Sequence, residues 1–105
     1  MTVKSLTAKS FNEFIKSGVS VIDFHADWCN PCRILSPTVE KVSEEIKGVK
    51  FGKVDVDKES KLAQRFYVMS IPTLIFFKNG EQVDRTVGVL QKEELVSKIK
   101  KVFKE

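Results

Sequence analysis

The chain is short of cysteine. Two occur in 105 residues, Cys29 and Cys32, so a scaffold stapled by several disulfides is excluded. A chain of this length buries somewhat over ~60% of the surface that its unfolded form exposes, enough for a core without such staples. Histidine and tryptophan occur once each, as His25 and Trp28. One histidine and two cysteines do not supply the four ligands of an intrachain structural zinc site, so no metal is expected. No apolar run reaches the roughly 18 residues of a membrane-spanning helix, and no membrane partner is expected. The N-terminal stretch MTVKSLTAKSFNEF is polar and lacks the apolar segment of a secretory signal. The expected compartment is therefore the cytoplasm, where a cysteine pair is more often catalytic or metal-binding than structural.

Charge excludes less. Lysine and arginine total 18 against 14 acidic residues, a net charge of +4. The stretch 92–105 holds five lysines, but three glutamates are interleaved and no arginine or aromatic cluster joins them. That is the pattern of a solvated helix face, not of a nucleic-acid site.

The hydrophobic pattern describes one α/β domain spanning residues 1–105, without repeats or linkers. A short strand over Val3–Leu6 leads to a helix capped by Thr7, with Phe11, Phe14 and Ile15 on one face and Gly18 as its stop. Val19–Phe24 is nearly continuous in apolar character, as in a strand buried on both faces. A helix over Pro31–Ile46 follows, with Pro37 inside it as an expected kink. A strand at Val49–Val56, a short helix at Ser60–Phe66 and a buried strand at Thr73–Phe77 come next. Asn79-Gly80 is a tight hairpin turn into Gln82–Val87. A helix from Gln91 to Phe103 closes the chain. The order β-α-β-α-β-α-β-β-α implies a central mixed sheet, parallel where helices intervene, with helices on both faces.

The informative stretch is DFHADWCNPC, Asp23 to Cys32. Cys29 and Cys32 sit at i and i+3 where a strand gives way to a helix. The free N–H groups and dipole of a helix N-terminus favour an anion and lower the pKa of a thiol placed there. Pro31 fits the first turn, where its missing N–H costs nothing. A CxxC pair by itself leaves three readings open: buried small hydrophobes, a metal or cluster shared between two chains, and a reversible redox couple. Asp23 interrupts an apolar run, where burial should raise its pKa. Lys53 shares the parity of Val49 and Phe51, which points its stem inward.

The stretch resembles the active site of the thioredoxin family. Asp23 six residues before Cys29, Trp28 directly before it, Pro37 in the next helix, Ile71-Pro72-Thr73, Lys78-Asn79-Gly80 and Gly88 all stand where that family has counterparts. The resemblance covers essentially the whole chain. It implies a thioredoxin fold and a protein-disulfide reductase with Cys29 as nucleophile and a more buried Cys32 as resolving thiol. Asp23 would carry the proton of Cys32, with Lys53 close to it. A cis Ile71–Pro72 bond would face the cysteines, and a client chain would lie over Trp28, Asn30, Pro31, Ile71, Pro72 and Gly88. The implied partners are disulfide-bearing proteins and a thioredoxin reductase as electron donor. No bound cofactor is implied, and a monomer is the expected state.

Two departures from the family lie beside the pair. Asn30 replaces the usual glycine, and its amide could bond backbone or sulfur. His25 replaces an aromatic residue, and in protonated form it would favour the Cys29 thiolate. The rival readings are a glutaredoxin-like or isomerase role on the same fold, and a protein-binding module in which the redox state is incidental.

Overall fold

The computed structural model describes residues 2–104. Its elements are β1 (Val3–Ser5), α1 (Ala8–Ile15), β2 (Val19–His25), α2 (Asn30–Glu45), β3 (Val49–Asp55), α3 (Ser60–Arg65), β4 (Thr73–Lys78), β5 (Glu81–Val87) and α4 (Lys92–Val102). Each matches a segment expected from the hydrophobic pattern, with ends displaced by one or two residues. The strand order is β1-β3-β2-β4-β5. β1, β3 and β2 run parallel, β4 is antiparallel to β2, and β5 is antiparallel to β4.

Strand alternation sends side chains to two faces, and each face has its own core. Ile22, Phe24, Val54, Ile75 and Phe77 meet Phe11 and Ile15 of α1 and Leu62 of α3. Val21, Phe51, Leu74 and Phe76 meet Leu35, Val39 and Val42 of α2 and Leu95 and Ile99 of α4. This explains why β2 and β4 read as unbroken apolar runs: both are central and covered on both sides. Gly52 is a contact position, since a Cβ there would lie 2.7 Å from Leu6 Cδ1.

Local chemistry sets the ends. Thr7 N–H donates to Ser10 Oγ at 3.0 Å at the start of α1. α2 continues through Pro37. Asn79 and Gly80 have φ of 51° and 88°, the left-handed pair that a primed hairpin turn requires. The Asn79 side chain also ties this turn to the bend before β2, accepting from Gly18 N–H at 2.8 Å.

Candidate active site

The site forms where the parallel strands β2 and β3 end and α2 begins. Cys29 is the N-cap of α2 in extended conformation, and its Sγ accepts from Cys32 N–H at 3.2 Å. One helical turn brings Cys32 back over it, and the two are joined as a disulfide with Cα atoms 5.2 Å apart. The pair packs with Ala26, Val56 and Ile71. The expected difference in burial is absent from this disulfide form: both cysteines are 4% exposed. Cys29 lies at the helix end beneath the Ile71 loop, 3.9 Å from the Ile71 carbonyl oxygen.

Asp23 lies on β2 directly opposite Lys53 on β3. The carboxyl is 4% exposed, and its Oδ1 has no hydrogen-bond partner. Burial pushes its pKa from 3.8 up to about 7, with the Lys53 charge pulling the other way. Asp23, Lys53 and Cys32 line one pocket of ≈ 440 Å³ together with His25, Ala26, Asp27, Arg33 and Ser36. Lys53 is half-buried, and among the described residues no ion pair within 4.0 Å joins it to Asp23.

The Ile71–Pro72 peptide bond is cis, and the Ile71 carbonyl oxygen lies 3.9 Å from Cys29 Sγ. Gly88 N–H donates to the Pro72 carbonyl at 2.9 Å, which locks the start of β4 to the end of β5. Gly88 has φ of 98°, and a Cβ there would meet nothing within 4 Å. Its backbone conformation selects glycine, and the space beside it is open. Trp28 is 67% exposed, so it belongs to the surface and not to the core. Pro31 sits in the first turn of α2, next to Asn30 at its start.

Two expectations change. Among the described residues, the Asn30 side chain is exposed and makes no hydrogen bond to sulfur or backbone. Burial lowers the pKa of His25 from 6.5, with Asp55 opposing and Lys53 reinforcing the shift. That shift favours the neutral imidazole and works against a positive charge beside the Cys29 thiolate.

Sequence reading also missed Asp57 and Arg85. Asp57 Oδ2 accepts from Trp28 Nε1 at 2.7 Å, 29 residues away along the chain. Arg85 of β5 donates to the carbonyls of Phe66 and Tyr67 at 2.5 and 3.4 Å and so braces the segment that leads to Ile71. Neither carries a local motif. Loop return brings Asp57 to Trp28, and strand pairing brings Arg85 to the end of α3.

A disulfide closed across the first turn of a helix, beside a buried carboxyl and a cis-proline loop, defines a thiol–disulfide oxidoreductase. The comparisons narrow the class. Residues 2–101 match the family model described as Thioredoxin. The chain is 46% identical over 94 residues to the thioredoxin of Chlamydia caviae, covering 90% of this chain and 92% of that one. It is 43% identical over 102 residues to the thioredoxin of Staphylococcus saprophyticus, covering 96% and 98%. A mutant thioredoxin from Halobacterium salinarum superposes with a TM-score of 0.91 at 32% identity, covering 97% of this chain and 91% of that one. The chain belongs to the thioredoxin family, and its activity is thiol–disulfide reduction.

Proposed function

We propose that this chain reduces disulfides in client proteins, with Cys29 attacking and Cys32 resolving. In the dithiol form, the Cys29 thiolate attacks one sulfur of a client disulfide. A Cys29–client bond forms, and the other client sulfur leaves as a thiolate. Cys32 then gives its proton to the Asp23 carboxylate and attacks Cys29 Sγ. The Cys29–Cys32 bond forms, the second client sulfur leaves, and two electrons have passed to the client. Asp23 suits this task because its pKa of about 7 lets it take and return a proton near neutrality. Lys53 keeps that pKa from rising further. The observation that carries the reading is the pocket shared by the Asp23 carboxyl and Cys32, directly behind the disulfide.

The client lies as an extended chain across Trp28, Asn30, Pro31 and Gly88, with its backbone against Ile71 and Pro72 in the manner of strand addition. A thioredoxin reductase returns the pair to the dithiol form. The two sulfurs carry the electrons themselves. Among the described residues, no helix is long and apolar enough to cross a membrane. The reading places the chain in the cytoplasm as a monomer.

The test is a pair of single variants. Cys32→Ser should accumulate mixed disulfides with a client, visible under non-reducing electrophoresis, and Cys29→Ser should form none. Catalytic turnover by Cys29→Ser would refute the division of roles.

A further inference from the structure

Helix α2 carries two serines, Ser36 and Ser43. A serine inside a helix commonly returns its hydroxyl to a carbonyl three or four residues back. Ser43 does so, donating to the Glu40 carbonyl at 2.6 Å. Ser36 does not. Among the described residues its hydroxyl makes no hydrogen bond, although the side chain is half-buried. It lines the ≈ 440 Å³ pocket together with Asp23 and Cys32. Asp23 Oδ1 is likewise buried and without a partner. An uncommitted hydroxyl and an uncommitted carboxyl thus share one pocket with the thiol that must lose a proton.

The helix sets Ser36 beside Cys32. Residues four apart on a helix have Cβ atoms about 5–6 Å apart, and helical side chains lean back over the preceding turn. The preceding turn here begins at Cys32. The charged groups that face the pocket are His25, Asp27, Arg33 and Lys53. Protonated lysine and arginine have no acceptor site, so neither receives a thiol proton. Arg33 is also turned aside, with its Nε donating to the Asp27 carbonyl at 3.0 Å. Asp27 is exposed and, once ionised, only accepts. His25 is two places along β2 from Asp23, about 6.5 Å away, with Asp55 opposite it. The Ser36 hydroxyl donates and accepts through one oxygen, and it rides on the element that carries Cys32.

We propose that Ser36 bridges Cys32 to Asp23 in the resolving step. Its oxygen accepts the Cys32 proton while its own hydrogen passes to the Asp23 carboxylate. The Cys32 S–H and Ser36 O–H bonds break, and new O–H bonds form on Ser36 and Asp23. The electron pair left on Cys32 attacks Cys29 Sγ, and the client sulfur leaves with the pair of the Cys29–client bond. Ser36 ends as a hydroxyl, unchanged. The proposal rests on the reductase reading and assigns a proton path within it.

The test separates the two steps of the reaction. Reduced protein is mixed with an excess of a disulfide-linked peptide dimer and quenched in acid at intervals. Mass spectrometry then counts the mixed disulfide and the closed Cys29–Cys32 form. Ser36→Ala should form the mixed disulfide at the wild-type rate and resolve it about tenfold more slowly near neutral pH, so the intermediate accumulates. Ser36→Thr keeps the hydroxyl and should resolve as wild type does. The deficit of Ser36→Ala should close at about pH 10, where Cys32 loses its proton to solvent and needs no bridge. Adding Ser36→Ala to Asp23→Asn should slow resolution no further, because the acceptor at the end of the bridge is already gone. A deficit equal at both pH values, or one shared by the first step, would assign Ser36 a structural role and overturn the bridge. Unchanged resolution in Ser36→Ala would overturn it too, and each of these results leaves the reductase reading standing. A wild-type chain that never closes its Cys29–Cys32 bond on mixing would overturn the reading beneath it as well.

Discussion

Replacing Asp23 with asparagine should stabilise the protein above neutrality and leave it unchanged in acid. Asp23 is 4% exposed, Oδ1 lacks a hydrogen-bond partner, and burial raises the pKa from 3.8 to about 7. One pH unit corresponds to about 1.4 kcal/mol, so ionising this carboxyl weakens the fold by about 4 kcal/mol. Below pH 3.8 the group is neutral in the folded and unfolded chain, and the penalty is absent. Between 3.8 and about 7 the unfolded chain has released the proton while the folded chain still holds it. Stability therefore falls as pH rises, by up to about 1.4 kcal/mol per unit. Above 7 both states are ionised and the loss is complete. The asparagine keeps the shape of the side chain and removes its charge. Urea denaturation of the disulfide form should show Asp23→Asn and wild type alike at pH 4, with the variant ahead by about 4 kcal/mol at pH 8. A stability difference that stays the same at both pH values would refute the argument, because burial would then not be what holds the proton.

Three further changes probe neighbouring features. Lys53→Met removes the charge that lowers the Asp23 pKa, so the carboxyl should titrate above about 7 by carbon NMR; a fall would reverse the assignment. Gly52→Ala places a methyl group 2.7 Å from Leu6 Cδ1 and 3.1 Å from Phe14 Cε2, and it should cost about 1–3 kcal/mol in urea denaturation. Unchanged stability would mean that the core gives way freely at that point. Asp57→Ala removes the charged acceptor of the only tryptophan, so acrylamide should quench Trp28 fluorescence more strongly; equal quenching would show that the indole is held by other contacts.

Much of the fold was legible because its signals are local. VSVIDF and TLIFF read as buried strands for the same reason that they are buried: β2 and β4 sit in the middle of the sheet under helices on both faces. Asn79-Gly80 announced its turn through backbone chemistry alone. Asp23 was legible as a charge inside an apolar run, and its raised pKa follows from that position. The cis bond at Pro72 was not legible from composition or spacing, and came only through the family likeness. The remaining features depend on distant pairings. His25 is opposite Asp55 only because β2 and β3 pair in parallel, and its charge state depends on how deeply that corner is buried. The Trp28–Asp57 bond joins two loops at the same end of the sheet. Cys29 is as buried as Cys32 because both pack against Ala26, Val56 and Ile71, a tertiary contact that no spacing encodes. Tyr67 stands where helix-ending rules favour glycine, so the local pattern concealed both the turn and its exposed ring.

Reduction of insulin disulfides by dithiothreitol, followed as turbidity, tests the central claim most directly. Catalytic amounts of the protein should accelerate precipitation over the dithiothreitol blank, and Cys29→Ser should return the rate to that blank. A folded, reduced wild-type chain that gives no acceleration, or a Cys29→Ser variant that accelerates equally, would contradict a reductase built on the Cys29–Cys32 pair.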